Sequence, residues 1–104
     1  MSTTTFGMVG LGRMGANIVR RLARHGITSA VYDVSPESVA TLAAEGAIGT
    51  ADLKDLAAKL TAPRTVWVMV PAGVTDSTIA AVAEVLSPGD TIIDGGNSYY
   101  KNDL

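Results

Sequence analysis

Apolar and polar positions along this chain fall into blocks that switch between two periods. Thr4 to Gly10 is a β-branched and apolar stretch ending in glycine, which predicts a first strand. Between Met14 and Arg24 the apolar residues Met14, Ile18 and Leu22 recur every four positions, with Val19 and Ala23 beside them and Arg20, Arg21 and Arg24 opposite. That spacing predicts an amphipathic helix. His25-Gly26 closes it, with glycine suited to the left-handed cap and basic groups on the last turn.

Thr28 to Tyr32 reads as a second strand. Ser35-Pro36 then opens a helix with an N-cap oxygen and a proline at the first helical position, running to about Glu45 and stopping at Gly46. Ala47 to Thr50 reads as a short third strand, and Asp52 to Leu60 as a helix with acidic residues early and Lys59 late, as the macrodipole favours. After Pro63, the continuously apolar run Thr65 to Val70 predicts a fourth strand covered on both faces. A helix from about Thr75 to Leu86 follows, stopped by Ser87-Pro88-Gly89. Thr91 to Ile93 is the fifth strand, and Asp94 to Ser98 a loop at its carboxyl end. No internal repeat, linker or low-complexity segment interrupts the alternation. Strands and helices in this order predict a parallel, doubly wound α/β sheet with helices on both faces and right-handed crossovers.

Composition narrows the function. At 104 residues the chain, Met1 to Leu104, fits one domain, and 47% hydrophobic with 17% charged residues excludes intrinsic disorder. A net charge of −2 argues against a nucleic-acid or anionic-membrane partner, which needs a basic face. With no cysteine and His25 the lone histidine, thiolate sites and histidine-based zinc sites are excluded. The first residues carry no basic leader pattern, and no apolar run approaches the ~18 residues of a membrane span. These features lead us to expect a cytoplasmic domain.

Gly10-Leu11-Gly12-Arg13-Met14-Gly15 has the spacing G-x-G-x-x-G, directly after a predicted strand and opening a helix. In that Rossmann-type context Gly10 permits the tight turn, Gly12 lets a pyrophosphate approach the backbone, and Gly15 allows close packing. The helix N-terminus offers free N–H groups and partial positive charge to the phosphates. A tight turn without ligand is the plain alternative. Arg13 either neutralises pyrophosphate or is simply solvated.

Asp33 stands at the end of the second strand, where an acid accepts hydrogen bonds from adenosine ribose hydroxyls. It would repel a 2′-phosphate, and Val34-Ser35 offers no arginine to pair with one, so the expected cofactor is NAD rather than NADP. The alternative is that Asp33 only caps the Ser35-Pro36 turn. Val70-Pro71-Ala72-Gly73 lies beside the switch point of such a sheet and suits a cofactor wall, or an ordinary turn. On the same edge, Asn97 in the Asp94-Gly95-Gly96-Asn97-Ser98 loop offers both donor and acceptor, to a ligand or to a following helix as its cap. His25 reads as a helix-end residue, Trp67 and Met69 as core, and Tyr99 and Tyr100 as packing against further chain.

The combination GLGRMG, VYD, MVPAG and especially IIDGGNSYY resembles the 6-phosphogluconate dehydrogenase family over essentially the whole chain. Related β-hydroxyacid dehydrogenases and imine reductases share the glycine loop but usually differ after the fifth strand. The resemblance is to the NAD-preferring bacterial branch, because NADP-preferring members typically place an arginine where Val34 stands. It implies that Gly10 through Gly15 (with Leu11, Gly12, Arg13 and Met14) wrap the pyrophosphate. It also implies that Asp33, Val34 and Ser35 border the ribose, and that Val70, Pro71 and Ala72 contact the cofactor's inner face. Asn97 would touch both nicotinamide and a sugar-acid phosphate substrate. Lysine is common in the family where Pro71 stands.

The family reaction oxidises the 3-hydroxyl of 6-phosphogluconate, releases CO₂ and yields ribulose 5-phosphate. Its lysine base and glutamate acid lie downstream of the DGGNS motif. The resemblance thus places the catalytic residues beyond Leu104, with none expected within these 104 residues. It implies the N-terminal cofactor-binding part of a longer, homo-oligomeric enzyme, without turnover by itself. The alternatives are a β-hydroxyacid dehydrogenase with a smaller substrate, a stand-alone nucleotide-binding module, and an S-adenosylmethionine methyltransferase. The last leaves the DGGNS loop poorly explained.

Overall fold

The computed structural model describes residues 4–70 and 72–94, with the Ala72 side chain outside that description. Five parallel strands form one sheet: β1 (Phe6–Val9), β2 (Ser29–Tyr32), β3 (Ile48–Gly49), β4 (Thr65–Val68) and β5 (Thr91–Asp94), in the order β3-β2-β1-β4-β5. Between them run α1 (Arg13–Arg24), α2 (Pro36–Ala44), α3 (Leu53–Lys59) and α4 (Thr75–Val85), the last preceded by a single 3-10 turn over Ala72–Val74. The doubly wound Rossmann order is as the alternation predicts. Among the described residues no helix is long and apolar enough to cross a membrane.

Alternate side chains of each strand divide the core into two layers. Met8 and Val31 face α1 and α2, packing with Ala16, Val19 and Leu42. Val9, Ala30, Val66 and Val68 face α3 and α4, against Leu56, Leu60 and Val82. Met8, Val31, Val66, Val68 and Val82 are fully buried, each contributing about 1.5–3 kcal/mol. Gly7 lies on the α3 side, where a Cβ would come within 3.0 Å of Leu60, so its lack of a side chain lets that helix seat on the sheet.

Local signals set the helix ends. Ser35 caps α2 through its Oγ, which accepts from the Ser38 N–H at 3.4 Å, and Asp52 caps α3 through its carboxylate, which accepts from Asp55 N–H at 2.7 Å. His25 is the C-cap of α1, as expected. Gly26 and Gly46 follow their helices with φ of +82° and +111°.

Two edges differ from expectation. β4 ends at Val68, two residues early, because its partner β1 ends at Val9 where the glycine loop departs. The prediction that β4 is covered on both faces also fails in part: Val66 and Val68 are buried, but Thr65 and Trp67 are only partly so. Asp94, expected in a loop, is the last residue of β5 and pairs with Val68. Residues 95–104, from Gly95 to Leu104, lie outside the described residues. The expectations for Asn97, Tyr99 and Tyr100 fall there, and the placing of catalytic residues beyond Leu104 concerns chain further still.

At the amino ends of β4 and β5, Arg64 and Asp90 lock the sheet. The Asp90 carboxylate, 2% exposed, accepts from the backbone N–H of Arg64 at 2.7 Å, that of Ser87 at 2.8 Å and the Arg64 guanidinium at 3.0 Å. These donors, the Arg64 backbone N–H foremost, hold its pKa below the ordinary carboxylate value. A lowered folded pKa means that the stabilisation is complete above the unfolded value and is lost as pH falls through the folded one. Melting temperature should therefore decline below about pH 4. Asp90→Asn should melt lower at neutral pH and show a shallower acid decline in thermal scans at stepped pH. A variant matching the parent's whole pH profile would count against the lock.

Candidate functional site

The carboxyl ends of β1, β2 and β4 open onto a cleft of about 980 Å³ at the point where the strand order reverses. Open α/β sheets bind ligands at this position. Its floor is the turn from Val9 into α1. Gly10 takes φ +99° and donates its N–H to Tyr32 O at 2.9 Å. A Cβ on Gly10 would collide with the Met69 carbonyl oxygen, and one on Gly15 with the Gly10 carbonyl oxygen. Both glycines are thus demanded by the protein's own backbone.

Gly12 is different. It is the N-cap of α1, at φ −66° and ψ −172°, which any residue can adopt, and a Cβ there would meet nothing within 4 Å. Among the described residues no side chain caps this helix, and no acidic residue stands in its first turn. The first N–H groups of α1 therefore keep their hydrogen-bonding capacity and partial positive charge at the mouth of the cleft. Space beside Gly12 plus uncapped amides makes a cradle for an anionic group, so the residues present fit a pyrophosphate.

The cleft gathers most of the predicted residues: Gly10, Gly12, Arg13, Met14, Gly15, Asp33, Val34 and Val70 line it. Met14 and Val34 are exposed, at 64% and 88%, an arrangement suited to apolar contact with a ligand's rings. Leu11 and Ser35 stand apart from the lining. The Leu11 side chain is 6% exposed and packs in the α1 layer, while the Ser35 hydroxyl serves the α2 cap. Pro71 and Asn97 lie outside the described residues, and only the backbone of Ala72 is described.

Eight further lining residues escaped the sequence reading: Val9, Tyr32, Leu53, Met69 (expected only as core), Val74, Ser77, Thr78 and Ala81. Val74, Thr78 and Ala81 follow helical spacing, a signal that could have placed one face of α4 against the cleft. Ser77 and Thr78 both donate their hydroxyls to Val74 O, at 3.1 and 2.8 Å, which pins that face. Asp33 does cap the Ser35-Pro36 turn, accepting from the Ser35 N–H at 2.8 Å, but its other oxygen accepts from the Leu11 N–H at 2.5 Å. That second bond joins positions far apart in the chain, and local pattern gives no hint of it.

Comparison with known proteins agrees with this geometry. Residues 5–103 match the family model described as the NAD binding domain of 6-phosphogluconate dehydrogenase. A decarboxylating 6-phosphogluconate dehydrogenase of Haemophilus influenzae is 44% identical over 102 residues, covering 92% of this chain and 21% of that protein. The chain spans a third or less of the curated relatives it matches. Among solved structures, Plasmodium falciparum 6-phosphogluconate dehydrogenase superposes with a TM-score of 0.82 at 26% identity, over 91% of this chain and 22% of that one. A reductive aminase from Aspergillus terreus, in complex with NADPH, gives 0.74 at 20% identity over 93% of this chain and 33% of its own, a likeness of fold alone.

The comparisons correct the cofactor expectation. The Plasmodium enzyme is described with NADP+ as its cofactor, so the expectation of NAD with NADP disfavoured does not stand. The physical reason lies in Asp33, whose two carboxylate oxygens are each engaged by a backbone N–H. These two bonds give the carboxylate a role within the protein's own backbone, so an acid at this position does not by itself identify a ribose-only site.

Proposed function

The chain belongs to the family of NAD-binding domains of 6-phosphogluconate dehydrogenase, and from that premise we propose that its glycine-loop cleft binds a nicotinamide adenine dinucleotide, as the N-terminal cofactor module of a longer cytosolic dehydrogenase. The observation that carries this is the open space at Gly12 beside the uncapped start of α1. Gly10 through Gly15 would hold the pyrophosphate, with Arg13 adding positive charge at the rim. Asp33 and Val34 would border the adenosine ribose, with Ser35 behind them in the α2 cap, and Val70, Pro71 and Ala72 would border the cofactor's inner face. Asn97 would reach both the nicotinamide and the substrate.

When bound, the nicotinamide supplies the acceptor for a hydride; these residues bind, orient and screen it from water. The substrate class we assign is a sugar-acid phosphate, 6-phosphogluconate, oxidised and decarboxylated to ribulose 5-phosphate. It is supported by the family match and by the Plasmodium neighbour, whose described substrate is 6-phosphogluconate. We place the proton-handling groups and the homo-oligomer surface beyond Leu104, in the rest of the longer protein. The 104-residue chain would then bind cofactor without turnover.

Calorimetric titration of this chain with NAD and NADP at one ionic strength tests the reading. Saturable one-to-one binding of at least one dinucleotide is expected, with no reduced nicotinamide forming when 6-phosphogluconate is added. A chain folded by circular dichroism that binds neither would refute it.

A further inference from the structure

Asp33 ties together three elements that meet at the cleft. Its Oδ2 accepts from Leu11 N–H at 2.5 Å, across 22 positions of sequence, and its Oδ1 accepts from Ser35 N–H at 2.8 Å. Next to the first bond, Gly10 N–H donates to Tyr32 O at 2.9 Å, so two successive residues of the glycine loop are fastened to the end of β2. The buried Leu11 side chain fixes the same residue from below. Ser35 in turn caps α2. Carboxylate-to-amide bonds are charge-assisted and directional. One side chain thus sets the loop, the strand end and the start of α2 in a single relation.

Beyond these anchors the loop runs through Gly12 into α1, where the uncapped amides lie. We infer that Asp33 is a positioning residue for the phosphate part of the ligand: it holds the glycine loop in the conformation that presents the α1 amides, independently of any contact with a ribose. The inference rests on the dinucleotide reading and deepens it. It assigns Asp33 a role that a ligand lacking ribose hydroxyls still feels.

The test compares ADP with 2′,3′-dideoxy-ADP as probes, titrated into the parent chain, Asp33→Ala and the isosteric Asp33→Asn. All titrations run at a temperature where circular dichroism shows each protein folded. A positioning role lowers affinity for dideoxy-ADP as well as for ADP, about tenfold for dideoxy-ADP in the alanine variant. The Leu11 amide should also exchange faster with solvent in the free variant. Asp90→Asn, weakened at the far end of the sheet, serves as the stability control and should keep the parent's affinity for both probes.

Loss of ADP affinity with dideoxy-ADP unchanged would overturn the positioning role and leave the dinucleotide reading standing. An equal loss in Asp90→Asn would reduce the effect to general stability and overturn it as well. A folded parent that binds neither probe would overturn the dinucleotide reading and the inference with it.

Discussion

Gly10→Ala is expected to remove most of the domain's stability, leaving a chain that unfolds at very low urea or shows no cooperative transition. Two costs add at this residue. Its φ of +99° strains any L side chain, by about 1–2 kcal/mol. The added Cβ would also collide with the Met69 carbonyl oxygen and lie 2.7 Å from its carbonyl carbon. Both are backbone atoms, so relief means moving β1 and β4 apart where Met69 N–H donates to Val9 O at 2.7 Å. Forced separation of packed elements typically costs about 1–3 kcal/mol more. Small domains sit near the low end of the usual range of about 5–15 kcal/mol, so the sum is decisive. A urea midpoint equal to the parent's would show that the loop is far more plastic than its geometry implies.

Gly12→Val, two positions on, should do the opposite. The fold should survive with a loss of about 1 kcal/mol at most, because valine is a poorer N-cap than glycine and nothing else changes. Its side chain enters the open space in front of the α1 amides, where the pyrophosphate is proposed to lie. Dinucleotide affinity should fall by at least about a hundredfold, equivalent to roughly 2.7 kcal/mol. Thermal melts and calorimetric titrations on the same sample separate the two effects. Parent-like affinity in a folded variant would remove the glycine loop from the binding site. The contrast between the two variants also separates a glycine the backbone requires from one left open for a ligand.

The motif G-x-G-x-x-G by itself does not draw that distinction. Its spacing locates the turn and its strand-to-helix context gives the cleft, but the reason for each glycine depends on what stands opposite. For Gly10 that is Met69, on a segment about sixty residues later in the chain. Periodicity is sufficient to place the helices, and the caps Ser35 and Asp52 are local properties. The buried face of α1, however, is Gly15, Ala16 and Val19 rather than the Met14, Ile18 and Leu22 stripe, and Met14 is exposed at the cleft. Periodicity is insufficient for β4. An apolar run continues to Val70, but strand length is set by a neighbour, and β1 offers no partner beyond Val9.

Asp33 is legible in position and misread in role. A carboxylate at the end of β2 points to a ribose only if the protein's own backbone does not already engage it. The Leu11 amide that engages it is invisible in any local window. The α4 face lining the cleft escapes for a related reason. Val74, Thr78 and Ala81 read as an ordinary helix stripe until the sheet order places α4 beside the glycine loop.

The parallel sheet directs every strand toward the cleft, so every helix-to-strand return occurs at its other end. The glycines of these returns, Gly26, Gly46 and Gly89, have open space where a side chain would project. Asp90 and Ser87 brace the last of them, leaving Gly26 and Gly46 as surface turns remote from the ligand. Exposed turns of this kind are where chains accept grafted sequence. A reporter domain or affinity handle spliced there would enter at the end of the sheet opposite the glycine-loop cleft.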